Sequence, residues 1–219
     1  MTTPTGSEGL KPRLRGVLHQ WAAVVAGGAG AVLMALAPTA RALEGAASFV
    51  GSLLTLLTVS AVYHRRNWQP RAREWMRRAD HSAIFVLIAG TYSALALLAL
   101  PRELGSRMLL MVWIAAAVGI IVSMFWVRAP KLLIAGLYLA MGWIAIPYFG
   151  EIRHAFSPAG FALLLGGGIA YSIGALAYAF RRPNPVPGVF GYHEVFHALT
   201  IVAGALHFTL VAQLVRAAP

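Results

Sequence analysis

The chain has 219 residues, of which 59% are hydrophobic and only 11% charged, against roughly 25% charged in an ordinary soluble domain. That excludes a conventionally solvated globule and points to an integral membrane protein. The net charge of +11 does not mark a nucleic-acid binder, because Arg and Lys fall almost entirely between apolar runs, as helical membrane proteins use them. Cysteine is absent, which removes disulfides and thiolate metal sites and leaves His, Asp or Glu as the only ligands for any metal.

Apolar runs of ~20 residues predict seven spans, at 16–37, 46–64, 80–100, 108–127, 132–149, 160–180 and 191–214. Pro, Arg or both punctuate them, as in PREL, VRAPK and RRPNPVPG. The predicted fold is an all-α, polytopic bundle of seven transmembrane helices. Residues 1–15 form a polar N-terminal segment and residues 16–215 a single domain. The first run is longer than the ~7–15 apolar residues of a signal peptide, so it is expected to be a membrane helix.

Lys11, Arg13 and Arg15 precede the first span, and Arg65, Arg66, Arg71, Arg73, Arg77 and Arg78 lie between the second and third. Arg128 and Lys131 lie between the fourth and fifth, and Arg181 and Arg182 between the sixth and seventh. The opposite side carries only Arg41, Arg102, Arg107, Arg153 and Arg216. The excess of positive charge predicts a cytoplasmic N-terminus and an external C-terminus. The arginine-rich segment is expected to meet anionic lipid headgroups, and the runs AGGAGA and LLGGGIAYSIGAL to allow close helix packing.

Of seven acidic residues, only Asp80 and Glu194 fall inside these spans. An ionisable group costs ~2.5–3.5 kcal/mol at the centre of a membrane helix, less near an end. The second span ends SAVYH, the third begins DHSAI and the seventh begins GYHEVFH. With alternating directions, these three segments bring Ser60, His64, Asp80, His193 and His197 to one depth, near the cytoplasmic leaflet. His193 and His197 lie one helical turn apart on one face. Such a pair with a third His from another helix can hold Zn²⁺ and leave a position open for water. A nearby carboxylate, Asp80, can take a proton from that water or orient it. The other reading is a set of polar groups packed structurally at the end of a bundle. His81 points about 100° away from Asp80 on the helix and is expected outside the metal site. His19 is either beside the site or a satisfied interfacial residue, His154 is expected in solvent, and His207 lies too far along to share the metal and is expected buried and hydrogen-bonded.

His193, Glu194 and His197 also spell H-E-x-x-H, in which the Glu of a zinc protease is the general base. Here the pair opens the last span and the candidate third ligand, His64, comes earlier, an order that disfavours a protease. SAVYH, RRADHSAIFVLIAGTYS, GLYLAMGWIAI and HEVFHALTIVAGALHF together resemble the progestin and adipoQ receptor family, in its bacterial haemolysin III branch. The resemblance runs from about Ser60 to His207. It implies zinc held by His64, His193 and His197, with Asp80 acting through water and Ser60 beside the site or donating to an oxyanion, and it leaves the Glu194 position variable. The entry segment KPRLRGVLHQ departs from the family's usual acidic and amide positions and keeps only His19 as a match. Similarity to alkaline ceramidases within the extended family implies a hydrolase of a lipid amide or ester bond in membrane lipid homeostasis, with a membrane lipid or fatty-acyl ligand as partner. A non-enzymatic sensor of membrane state with structural zinc uses the same ligands. A cytolytic pore is a weaker expectation, since no span is amphipathic enough to line a wide channel.

Overall fold

A computed structural model describes residues 12–218; of the predicted N-terminal segment, residues 1–11 lie outside this range. The described residues form eight α-helices. They are α1 (Val17–Ala35), α2 (Ala40–Arg65), α3 (Pro70–Leu98), α4 (Arg102–Phe125), α5 (Lys131–Gly142), α6 (Phe149–Ala155), α7 (Pro158–Phe180) and α8 (Tyr192–Ala217). Seven helical segments are long and apolar enough to cross a membrane, the fifth being α5 and α6 taken together.

Local chemistry sets the helix starts. The Thr39 hydroxyl accepts from the Ala42 amide at 3.2 Å and the Ser157 hydroxyl from the Gly160 amide at 3.1 Å, so α2 and α7 begin on side-chain caps. Proline opens α3 and α7 at a position where its missing N–H removes nothing. The start of α3 differs most from expectation. The apolar run begins near Asp80, but the helix begins ten residues earlier, and Arg71, Arg73, Arg77 and Arg78 lie on its first three turns. Hydropathy marks where lipid begins, whereas the stretch PRAREWMRR is rich in good helix formers that extend the rod beyond it.

The fifth span is interrupted. Between α5 and α6 the chain passes through a 3₁₀ turn at Ile146–Tyr148 that contains Pro147. The freed Gly142 carbonyl accepts from the Tyr92 hydroxyl at 2.8 Å, and the Trp143 indole donates to Ser172 Oγ at 2.9 Å. Irregular backbone at membrane depth is tolerated where neighbouring helices satisfy it in this way.

Helices α3 and α8 sit centrally: α8 packs on α1, α2, α3 and α7, and α3 packs on α2, α4, α5 and α8. Phe49, Leu53, Leu57 and Leu87 fill the seam beside Val211 and Val215. Trp21, Val25, Leu110, Ile114, Ile121 and Ile173 face outward, exposed, as a surface solvated by lipid requires. Close approach explains part of the glycine content. A Cβ at Gly30 would run into Val50, and one at Gly167 into the His207 ring, while Gly28 faces open space.

Candidate metal centre

Three helix ends build the site. His64 is in the last turn of α2, Asp80 in the third turn of α3, and His193 and His197 are in the first two turns of α8. The arrangement needs the chain to enter α1 tightly against α2. Gly16 does this with φ +77°, in the left-handed region that favours glycine, and it lies so close to His64 that a Cβ there would contact the His64 side chain.

The structure brings the three histidines together. One ring nitrogen from each of His64, His193 and His197 lies within 4.8 Å of the others, and the Nε2 atoms of His64 and His193 are 3.2 Å apart. Two Zn–N bonds of ~2.0–2.1 Å at a tetrahedral angle place ligand nitrogens ~3.3 Å apart, so this donor set suits one small metal ion. Asp80 Oδ2 is 3.6 Å from His64 Nε2, beyond a good hydrogen bond but adjacent to the converging nitrogens. Ser60, one turn before His64, is buried and lines the same cleft as Asp80, His193 and His197. That cleft has a volume of about 20 Å³, just above the ~10–15 Å³ that admits a water molecule.

The remaining histidines divide. His19 is neither interfacial nor satisfied: it is 1% exposed, its ring stacks on His197 with centroids 3.9 Å apart, and neither ring nitrogen has a partner among the described residues. His81 also lines the cleft, half-buried, without joining the three-histidine cluster, and its carbonyl accepts from the Tyr138 hydroxyl at 3.2 Å. His154 is exposed, as expected. His207 lies well along α8, away from the triad; its Nε2 is 3.2 Å from the Leu164 carbonyl, and its Nδ1 is unpartnered.

Glu194 is completely buried, yet it engages no histidine. Its Oε2 accepts from the Gly191 amide at 2.9 Å, satisfying a free N–H at the start of α8, and its Oε1 pairs with the Arg15 guanidinium. The Arg13 and Leu14 amides donate to the Gly188 and Val189 carbonyls, so the entry segment is fastened across the start of α8. In the sequence Arg15 signals only positive charge; its pairing across 179 residues has no local signal. The same is true of Lys131. Its ammonium bonds the Tyr192 hydroxyl at 2.9 Å and lies over the Tyr178 and Tyr192 rings, beside His193.

The cleft adjoins a second space. Leu56, Ile84, Tyr138, Ala175, Phe196 and Thr200 line both it and a cavity of about 140 Å³. Nearly all of that cavity's wall is apolar, and it runs past the break in the fifth span to His207.

Seven membrane-spanning segments with a buried three-histidine cluster define a polytopic α-helical membrane protein with a candidate metal centre. Residues 8–208 match the family described as Haemolysin-III related. The chain is 35% identical over 160 residues to the hemolysin-3 homolog of Bacillus subtilis (strain 168), covering 73% of this chain and 72% of that one. It is 32% identical over 173 residues to hemolysin-3 of Bacillus cereus, covering 79% and 76%. The chain therefore belongs to the haemolysin III-related family.

Proposed function

We propose that this protein is a zinc-dependent hydrolase of a lipid amide or ester bond, acting in membrane lipid homeostasis. The observation that carries the reading is the adjacency of two unlike spaces: a polar cleft lined by His193, His197 and Asp80 beside the three-histidine cluster, and an apolar cavity that shares its walls. A purely structural metal needs neither the neighbouring carboxylate nor an apolar annex leading to it.

His64, His193 and His197 would hold Zn²⁺, which supplies Lewis-acid polarisation of a carbonyl and a water of lowered pKa. Asp80 would accept a proton from the attacking water and return it to the leaving amine or alcohol. Ser60 would donate to the developing oxyanion or orient the water. The apolar cavity would take the acyl chain, fixing the carbonyl at its mouth. The triad end, with its excess of Arg and Lys, would face the cytoplasm in a bacterial inner membrane. There Arg65, Arg66, Arg71 and Arg73, all exposed, would meet anionic headgroups.

Asp80→Asn tests this reading. Purified protein is screened against N-acyl and O-acyl lipids in mixed micelles, with zinc content measured on the same samples. We expect turnover to fall at least 100-fold in the variant while zinc is retained, in the ~10²–10⁴ range of a lost general base. Undiminished turnover with zinc bound would remove Asp80 from the chemistry. No turnover of any acyl lipid by zinc-loaded wild type would favour the sensor with structural zinc.

A further inference from the structure

Beside the triad, the start of α5, the end of α7 and the start of α8 form a rim to the polar cleft. Lys131 opens α5. Its ammonium lies 4.4 Å from the centre of the Tyr178 ring and 4.7 Å from that of Tyr192, and it bonds the Tyr192 hydroxyl at 2.9 Å. Tyr178 joins this rim to the site, because it lines the cleft and its ring meets His193 edge-on, with centroids 5.5 Å apart. Arg77 lies one turn before His81 on the same face of α3, and its charge reaches both His81 and Tyr178.

The rim is rich in donors and holds no negative charge. Lys131 keeps two of its three donors beyond the bond to Tyr192, and the Tyr192 hydroxyl, which accepts that bond, keeps its own proton to give. No carboxylate pairs with Lys131 or Arg77 among the described residues: Glu194 is taken by Arg15, Glu74 by Arg128, and Asp80 lies against His64. Tyrosine rings attract a cation through their quadrupole, but they do not neutralise it. Both cations are half-buried, where an anion is held more strongly than in bulk water. An oxyanion is the partner this set lacks.

We propose that Lys131 and Arg77 hold the phosphate of a lipid headgroup at the rim of the cleft, so that the lipid taken is an anionic phospholipid and not a neutral acyl lipid. The order of the spaces fits one such molecule. On α7, Leu164, Gly168, Ser172 and Ala175 line the apolar cavity, Ala175 also lines the cleft, and Tyr178, one turn on, carries Lys131. A lipid with its chain in the cavity and its carbonyl at the triad has its head at this rim. Arg65, Arg66, Arg71 and Arg73 differ in being exposed, and meet the leaflet at large. The site rests on the cavity being an acyl-chain site, but not on hydrolysis or on a bound metal.

The test is equilibrium competition against a fluorescent acyl lipid, with purified full-length protein in nonionic detergent. The probes are 1-oleoylglycerol, 1-oleoylglycerol 3-phosphate and glycerol 3-phosphate. We expect the acylated phosphate to bind about tenfold tighter than 1-oleoylglycerol, the scale of one hydrogen bond to a charged group. Glycerol 3-phosphate, with no chain to bury, should not compete at the concentrations at which the lipids do. Lys131→Gln should erase most of the preference and Arg77→Gln part of it. Each should leave 1-oleoylglycerol affinity within about twofold, which also shows that the variant is folded. Arg66→Gln, in the exposed belt, should keep the preference. Equal affinity for the two lipids overturns the headgroup site and leaves the cavity reading standing. A preference that survives both rim variants, or falls as far with Arg66→Gln, overturns it too, because it then comes from the charge of the whole surface. Competition by glycerol 3-phosphate as strong as by its acylated form makes the rim a site for a free phosphate and overturns the lipid reading. Binding of neither lipid overturns the headgroup site and the cavity reading together.

Discussion

Glu194 shows how far one side chain's role depends on a distant partner. Fully buried, it is held by Arg15 and by the amide of Gly191, which caps α8, so its carboxylate is committed to architecture. Removing one member of a buried pair costs ~3–5 kcal/mol because the other charge is left uncompensated. We expect Glu194→Ala to lower the melting temperature sharply, and Arg15→Ala/Glu194→Ala to recover part of the loss. A Glu194→Gln protein that melts normally yet has lost lipid turnover would instead make it a base, as in H-E-x-x-H. His19 has the opposite character: unpaired, but stacked flat on His197. Lying flat on that ring, it limits the orientations His197 can take; hydrogen-bonding supports of metal ligands change affinity by ~10–100-fold when removed, and a stacked ring belongs at the low end of that scale. His19→Ala should therefore weaken zinc binding in a competition titration while leaving the fold's helicity unchanged; unaltered affinity would reduce it to packing.

At the scale of elements, legibility followed the physics of each signal. The convergence of SAVYH, DHSAI and GYHEVFH could be read because spacing on a helix and alternating span direction are both local rules. The early start of α3 could not, because hydropathy reports lipid and not helix. Nor could the break in the fifth span: Pro147 hints at it, but it is Tyr92, from α3, that satisfies the freed Gly142 carbonyl. The fit of α7 against α8 was half legible, since LLGGGIAYSIGAL announces close packing without naming the ring that lies in the gap. Gly167→Ala would place a methyl into His207, and overpacking of this kind costs ~1–3 kcal/mol. Thermal unfolding in detergent should show that loss, whereas Gly28→Ala, facing open space, should be silent; equal effects would contradict the packing account.

The whole molecule is a bundle whose two ends differ in charge and chemistry. Arg and Lys concentrate at the triad end, and the orientation derived from them is testable because the chain has no cysteine of its own. Single cysteines at Gln69 and Ser106, both exposed at opposite ends, should report oppositely to an impermeant maleimide. Ser106→Cys should label in intact spheroplasts and Gln69→Cys only after lysis, and the reverse pattern would invert the topology. The central claim is that α2 and α8 converge to hold one metal ion. Its most direct measurement is the zinc content of the purified protein beside His64→Ala. The account predicts near-stoichiometric zinc in the wild type and a loss of at least tenfold in the variant, since two ligands from α8 alone leave the site open. A metal-free wild type purified without chelator, or a variant that keeps its zinc, would contradict it.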